Sequence, residues 1–166
     1  MMIAGVRIFP MSDRAPGFVG KGIERVQRET FLEGMAVRGG RFRYRASGLD
    51  ARAGTVVLFQ YKARVIASAV FLRDEKLARR GAGAKAKTGF AGVLYFDVAS
   101  IRTFEPVDVA GMREAWPGFR AFGHVKQFLN AAGYAGFRRR LRGVRGVGDG
   151  VALRGKTNPR RDRTAR

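Results

Sequence analysis

A chain of 166 residues, 46% hydrophobic and 11% aromatic, has the length and apolar content for one packed domain with a tail and is excluded from the disordered class. Its 33 Lys and Arg stand against 13 Asp and Glu, a formal net charge of +20 that makes a polyanion the expected partner, nucleic acid ahead of an anionic membrane surface. With no cysteine, disulfides, thiolate zinc sites and a cysteine nucleophile are excluded; no stretch has signal-peptide or membrane-spanning character, so a cytoplasmic location is expected.

Gly5–Pro10 is a short apolar run stopped by proline and reads as a first strand. Met11–Gly20, with Pro16, Gly17 and Gly20, reads as a loop whose Phe18 is either a lid over the core or a wall of a ligand pocket. From Lys21 to Met35, Ile23, Val26, Phe31, Leu32 and Met35 fall mostly at helical spacing, which predicts a packing helix. Arg41–Ala46 alternates strictly. As a strand it sets Arg41, Arg43 and Arg45 about 7 Å apart on one face, a spacing a polynucleotide backbone can follow, with Phe42 and Tyr44 on the other.

Gly54–Leu72 is the longest stretch with a single comfortable backbone. Its β-branched and aromatic residues predict two antiparallel strands around a polar break at Lys62-Ala63-Arg64, without the Asn-Gly signal of a tight hairpin. Val57, Phe59 and Tyr61 share one face, expected to meet the core, and Leu58, Gln60 and Lys62 the other. Arg73–Gly89 reads as a long loop made a basic arm by Arg79, Arg80, Lys85 and Lys87. Phe90–Phe104 returns to strand character and ends at Pro106, and Val109–Trp116 predicts one or two helical turns stopped by Pro117. His124–Leu129 is a last strand or a helix start, and Ala131–Leu141 a better helix whose last turn holds Arg138, Arg139 and Arg140. From Gly143 to Arg166 the composition is that of a flexible basic tail.

The turn glycine Gly54, the run VVLFQYK and the second strand RVIASAVF resemble the core hairpin of PUA-like domains, the superfamily that includes the EVE, ASCH and SRA groups. FRYRA before it and GVLYFDVASIRTFEPV after it extend the resemblance over roughly residues 1–142. Gly54-Thr55 stands where many relatives have Gly-Asp. The resemblance implies a base-reading pocket beside a small barrel. In EVE- and SRA-type relatives such pockets are associated with modified bases in DNA, some at the front of restriction endonucleases.

Other chemistries find little footing. Gly150–Thr157 matches the phosphate-loop pattern letter by letter, but Asn158-Pro159 follows where the motif needs a helix. One histidine, His124, and scattered acids such as Asp74, Glu75, Asp97, Glu105 and Asp108 build no metal or hydrolase site, and Ser12, Ser47, Ser68 and Ser100 lack a nucleophile context. The expectation is an α+β domain over residues 1–142, a small, mostly antiparallel, partly closed β-barrel with packing helices, followed by a disordered basic tail, 143–166. Its function is non-catalytic nucleic-acid binding, DNA ahead of RNA, with no cofactor and no metal, perhaps beside a separate nuclease. Tyr44, Phe59, Gln60, Tyr61 and Trp116 are the expected base pocket, and Arg41, Arg43, Arg45, Lys62, Arg64 and Lys126 the expected phosphate contacts. Gln60 alternates with Phe59 and Tyr61, so all three share a pocket only if the strand is bulged. The alternatives are an RNA-binding or ribosome-associated module, an enzyme acting on nucleic acid, and a small-ligand or partner-binding barrel.

Overall fold

The computed structural model describes residues 2–45, 47–77 and 89–149; the basic arm residues Arg79, Arg80, Lys85 and Lys87, the Gly150–Thr157 match and the end of the tail lie outside them. The first strand, β1, spans Gly5–Pro10 as expected. The expected helix starts as α1 (Ile23–Val26) and continues as a π-helical stretch over Gln27–Met35. Its buried residues Val26, Phe31 and Met35 are spaced by five and four, and i→i+5 bonding keeps such a spacing on one face better than α-helical bonding does.

β2 is Arg41–Tyr44, with both arginines exposed and Tyr44 buried, as the alternation predicts. The hairpin is β3 (Thr55–Tyr61) and β4 (Arg64–Lys76). Its two-residue turn holds Lys62 at φ 50° and Ala63 at φ 55°, the left-handed pair that Asn-Gly adopts with less strain. All seven β3 residues are buried, so the expectation of a single core face is corrected: Val57, Phe59 and Tyr61 enter one core, Val56 and Leu58 another on the opposite side.

β5 (Gly92–Phe96) and β6 (Arg102–Val107) follow, joined by a 3-10 turn over Val98–Ser100. β6 runs through Pro106, which was expected to end it, and β4 takes in Arg73–Lys76, which were expected to be loop. α2 spans Val109–Ala115, its start capped by Asp108, whose side chain accepts from the Gly111 amide at 2.9 Å. β7 is Gln127–Leu129, α3 is Tyr134–Arg140, and β8 is Arg145–Gly146, paired with Arg102 and Thr103 of β6. The stretch read as tail from Gly143 therefore has its first residues in the sheet.

The sheet order is β2-β5-β4-β3-β1-β7, with β6 on β4 and β8 on β6. β1 lies parallel to β3 and every other pair is antiparallel. Among the described residues no ladder joins the ends, so the expected partly closed barrel is an open, branched sheet. The reason lies in β4, which divides its length between β3 and β6 on one half and β5 on the other. Two register shifts bend it. At the first, Ile66 is skipped by both neighbours, and its carbonyl accepts instead from Gln27 Nε2 at 2.9 Å, which also donates to the Phe104 carbonyl at 2.7 Å. The anticipated bulge thus falls beside Gln60 but on β4, leaving the alternation of β3 intact.

The π-helical stretch, β2 and β5 close one side of the sheet over Phe31, Phe59, Phe71 and Phe96; α2 and α3 close the other over Phe104, Met112, Trp116 and Phe137. Among the described residues no helix is long and apolar enough to cross a membrane.

Candidate nucleic-acid interface

A cleft of about 1100 Å³ opens between β1, the Met11–Lys21 loop, β2 and the segment before β7. That is at the upper end of the range for small-molecule sites, roughly 300–1,000 Å³, and large enough for a nucleotide. Phe9, Phe18, Phe42 and Tyr44 give it an apolar wall, and six cations, Arg7, Lys21, Arg38, Arg43, Arg45 and Lys126, face it against two acids, Glu29 and Asp50. Glu29 is already neutralised: Lys21 and Arg25 each reach it at 2.8 Å and hold its carboxyl down to about 2. The field in the cleft is therefore positive.

Arg7 is the residue the sequence reading missed. It follows Val6 in an apolar strand, and alternation puts it on the Phe9 side of β1, where it is 6% exposed. Nη1 donates to the Asp50 carbonyl and the guanidinium lies 3.7 Å from the Phe128 ring centroid, while Nε is buried with no partner. Burial pushes its pKa down and Asp50 opposes that only in part. A cation kept this dry without a paired acid is costly in the empty site. The available signal was a lone charge inside the run Val-Arg-Ile-Phe.

Lys126 reaches the cleft because β7 pairs with β1, setting Gln127 opposite Ile8. Its ammonium donates to the Ser47 carbonyl at 2.8 Å, Ser47 Oγ at 2.7 Å and the Gly48 carbonyl at 2.9 Å. All three N–H groups are used, so it pins that loop and acts on a ligand through its charge. Burial, then Arg7, lowers its pKa, and Asp74 opposes them. The three acceptors favour the ammonium, which makes Lys126 a poor base for Ser47.

Tyr44 donates to Asp74 Oδ1 at 2.8 Å under the cleft. Gly48 and Gly92 make the room, since a Cβ at either would run into Asp74 or the Tyr44 hydroxyl. Burial first, then the bond to Asp74 and its charge, push the phenol up from 10.0 to about 12. The folded state holds this proton more tightly than the unfolded chain, so its stabilisation is complete below pH 10 and is lost as the pH rises towards 12. Tyr44→Phe is expected to remove that part of the alkaline loss, read from unfolding midpoints across pH. An undiminished loss would assign it to Tyr61 and Tyr134, whose phenols burial also raises.

The expected site residues divide. Tyr44, Arg43, Arg45 and Lys126 are brought together in the cleft, with Phe18 and His124 beside them. Phe59 is not a pocket wall: it is fully buried, ringed by Phe31 at 4.7 Å, Phe96 at 5.3 Å, Phe42 at 5.5 Å and Phe9 at 6.0 Å. Tyr61 is buried beneath the cleft floor, its hydroxyl donating to the Lys21 carbonyl at 2.6 Å. Gln60 points to the other side of β3, where Nε2 donates to the Gly123 carbonyl at 3.0 Å and buried Oε1 has no partner. Trp116 lines a separate hollow of about 720 Å³ with Phe119 and Phe128, its Nε1 donating to the Asn130 carbonyl at 2.7 Å. Lys62 and Arg64 flank the hairpin turn and Arg41 lies on the outer sheet face; none of the three lines the cleft. Strand burial on both faces is why aromatic type alone misplaced Phe59 and Tyr61.

Among the described residues no three of His, Asp and Glu gather as metal ligands would. No protein-family model matches the chain, and no curated protein matches it. Among solved structures it is similar to the crystal structure of ASCH from Zymomonas mobilis, at 9% identity and a TM-score of 0.48 over 83% of this chain and 96% of that one. Two point-mutant forms of that protein match at 9% and 8% identity, each with a TM-score of 0.49, covering 82% and 83% of this chain and 99% and 97% of theirs. ASCH is one of the groups the hairpin resembles; at this level of likeness no residue role is carried across.

Proposed function

We propose that the chain binds nucleic acid without altering it covalently, holding one extruded or unpaired nucleotide in the cleft. The observation that carries this is Arg7, buried and unpaired at Nε beneath an aromatic wall in a cleft whose cations outnumber its acids. A phosphate supplies the missing counter-charge, with Arg43 and Arg45 at the rim as further donors. A planar base lies against Phe9, Phe18 or Phe42, and extrusion costs least at an unpaired, damaged or modified base. The finer expectation, a DNA reader that prefers a modified base and works beside a separate nuclease, belongs to this proposal and rests on the sequence resemblance.

The test is binding of the full chain to matched unmodified and cytosine-modified DNA duplexes, single-stranded DNA and RNA across a salt series. A preference for one form that persists as salt rises is expected, with a log–log salt slope of about 2 for three phosphate contacts on a single strand. If RNA is the preferred form, the DNA expectation fails and the cleft reading stands. Equal, steeply salt-dependent binding to every form would reduce the protein to a polycation and remove the proposal.

A further inference from the structure

The outer face of β2, β5 and the far half of β4 carries a second pattern of cations and aromatic rings. Phe42, Tyr44, Leu94 and Phe96 turn inward, which leaves their neighbours outside. Register sets Arg41, Tyr95 and Arg73 in one row across the three strands, and Arg43, Val93 and Glu75 in the next. The Arg73 guanidinium lies 3.7 Å from the Tyr95 ring centroid and that of Arg41 lies 5.7 Å from it. Beyond the second row, Arg43 and Arg45 approach the Phe90 ring at 5.4 and 4.6 Å.

Glu75 is the one carboxylate in these two rows. It accepts from Arg73 at 3.0 Å and from the Tyr95 hydroxyl at 2.9 Å, so it holds Arg73 against the ring rather than drawing it off the face. A guanidinium laid on an aromatic ring is a planar cation, able to stack a base on its face and to meet a phosphate with its edge. Successive rows along a strand are about 7 Å apart, a spacing that an extended polynucleotide backbone follows. A duplex hides the faces of its bases, whereas a single strand presents them for stacking. Arg43, Arg45 and Phe90 line the cleft as well as this face, so the two surfaces are continuous.

We propose that this outer face is a track for a single-stranded polynucleotide leading into the cleft, with bases stacking on the Arg73–Tyr95 and Phe90 planes and phosphates meeting Arg41, Arg43 and Arg45. The inference rests on the nucleotide reading of the cleft and adds a direction: about three nucleotides on one side of the held one lie on the sheet, one per arginine position at about 7 Å steps.

The test uses the full chain and a ladder of single-stranded DNA and RNA oligonucleotides, from a mononucleotide to eight nucleotides, extended on the 5′ or the 3′ side of one fixed nucleotide. The cleft alone is read by the mononucleotide. The track predicts that affinity climbs on the order of tenfold per stacked base for extension on one side only, then levels after about three additions. Arg41→Ala/Arg73→Ala should keep mononucleotide affinity and thermal midpoint, lose the length-dependent gain and lower the salt slope by about 1.4 for two lost phosphate contacts. Arg138→Ala/Arg139→Ala removes the same charge from the exposed end of α3 and should leave the gain in place. Equal losses in the two double variants, or a gain that is the same on both sides, would overturn the track. Mononucleotide binding with no length dependence would overturn it while leaving the cleft reading standing, and no mononucleotide binding would remove the cleft reading itself. The DNA and RNA arms decide the sugar.

Discussion

Arg7→Met is expected to leave folding stability at or above that of the native chain while lowering affinity for a mononucleotide by ten- to a hundredfold. The two effects point in opposite directions because the arginine is unfavourable in the empty fold and favourable in the bound one. In the free protein it is 6% exposed with a dry, unpartnered Nε, held by one bond to a backbone carbonyl and by the Phe128 ring. Methionine keeps much of the volume and removes the desolvated charge, and exchanging a poorly compensated buried charge for an apolar side chain is often neutral or stabilising. With a phosphate present the same guanidinium makes charge-assisted bonds, each worth about 1.5–3 kcal/mol, which sets the expected loss of affinity. Urea unfolding midpoints and a calorimetric titration with a mononucleotide check both halves. A marked drop in stability with affinity unchanged would make Arg7 a prop for the Asp50 loop, and the proposed function would lose its main support.

Phe59→Ala is expected to destabilise the fold by about 3–5 kcal/mol, the usual cost of emptying a fully buried phenylalanine site. For a chain of this size that is on the order of 10 °C in melting temperature. Four phenylalanine rings surround it within 6.0 Å, from β1, β2, β5 and the π-helical stretch, so the cavity would open where both layers and the sheet meet. The result also separates two roles for this residue. A wall on which a base stacks would cost affinity and little stability. A core residue costs stability, and the milder Phe59→Leu should bind a mononucleotide as the native chain does. Differential scanning calorimetry with the same titration reads both, and loss of affinity at unchanged melting temperature would return Phe59 to the cleft.

Much of the framework was legible from residue types taken locally. Gly5–Pro10, the turn at Lys62 and Ala63, the helix after Asp108 and the split of Arg41 and Arg43 from Phe42 and Tyr44 all follow from periodicity, capping and chain breakers, which act over a few residues. Half of the cleft was legible for the same reason: Tyr44, Arg43 and Arg45 lie on or beside one strand whose two faces are chemically distinct. The continuation of β6 through Pro106 and of β4 through Arg73–Lys76 was not legible, because each depends on partners far along the chain, Val65 opposite Val107 in one case and β5 in the other.

The sequence by itself determined a basic, single-core-sized chain with a central hairpin and an arginine-bearing strand, because charge and alternation are properties of the residues. Only the tertiary structure decided which residues form the cleft. In a strand buried on both sides, alternation states that Phe59 and Gln60 face opposite ways but not what lies beyond either face. The parallel pairing of β1 with β3 and the antiparallel docking of β7 on β1 bring Arg7, Phe9 and Lys126 to one opening, across separations of more than a hundred residues. The bulge at Ile66, taken up by Gln27, leaves Phe59 and Tyr61 beneath that opening instead of within it. Long-range pairing and the burial it creates, not side-chain type, separate a stacking aromatic from a core one.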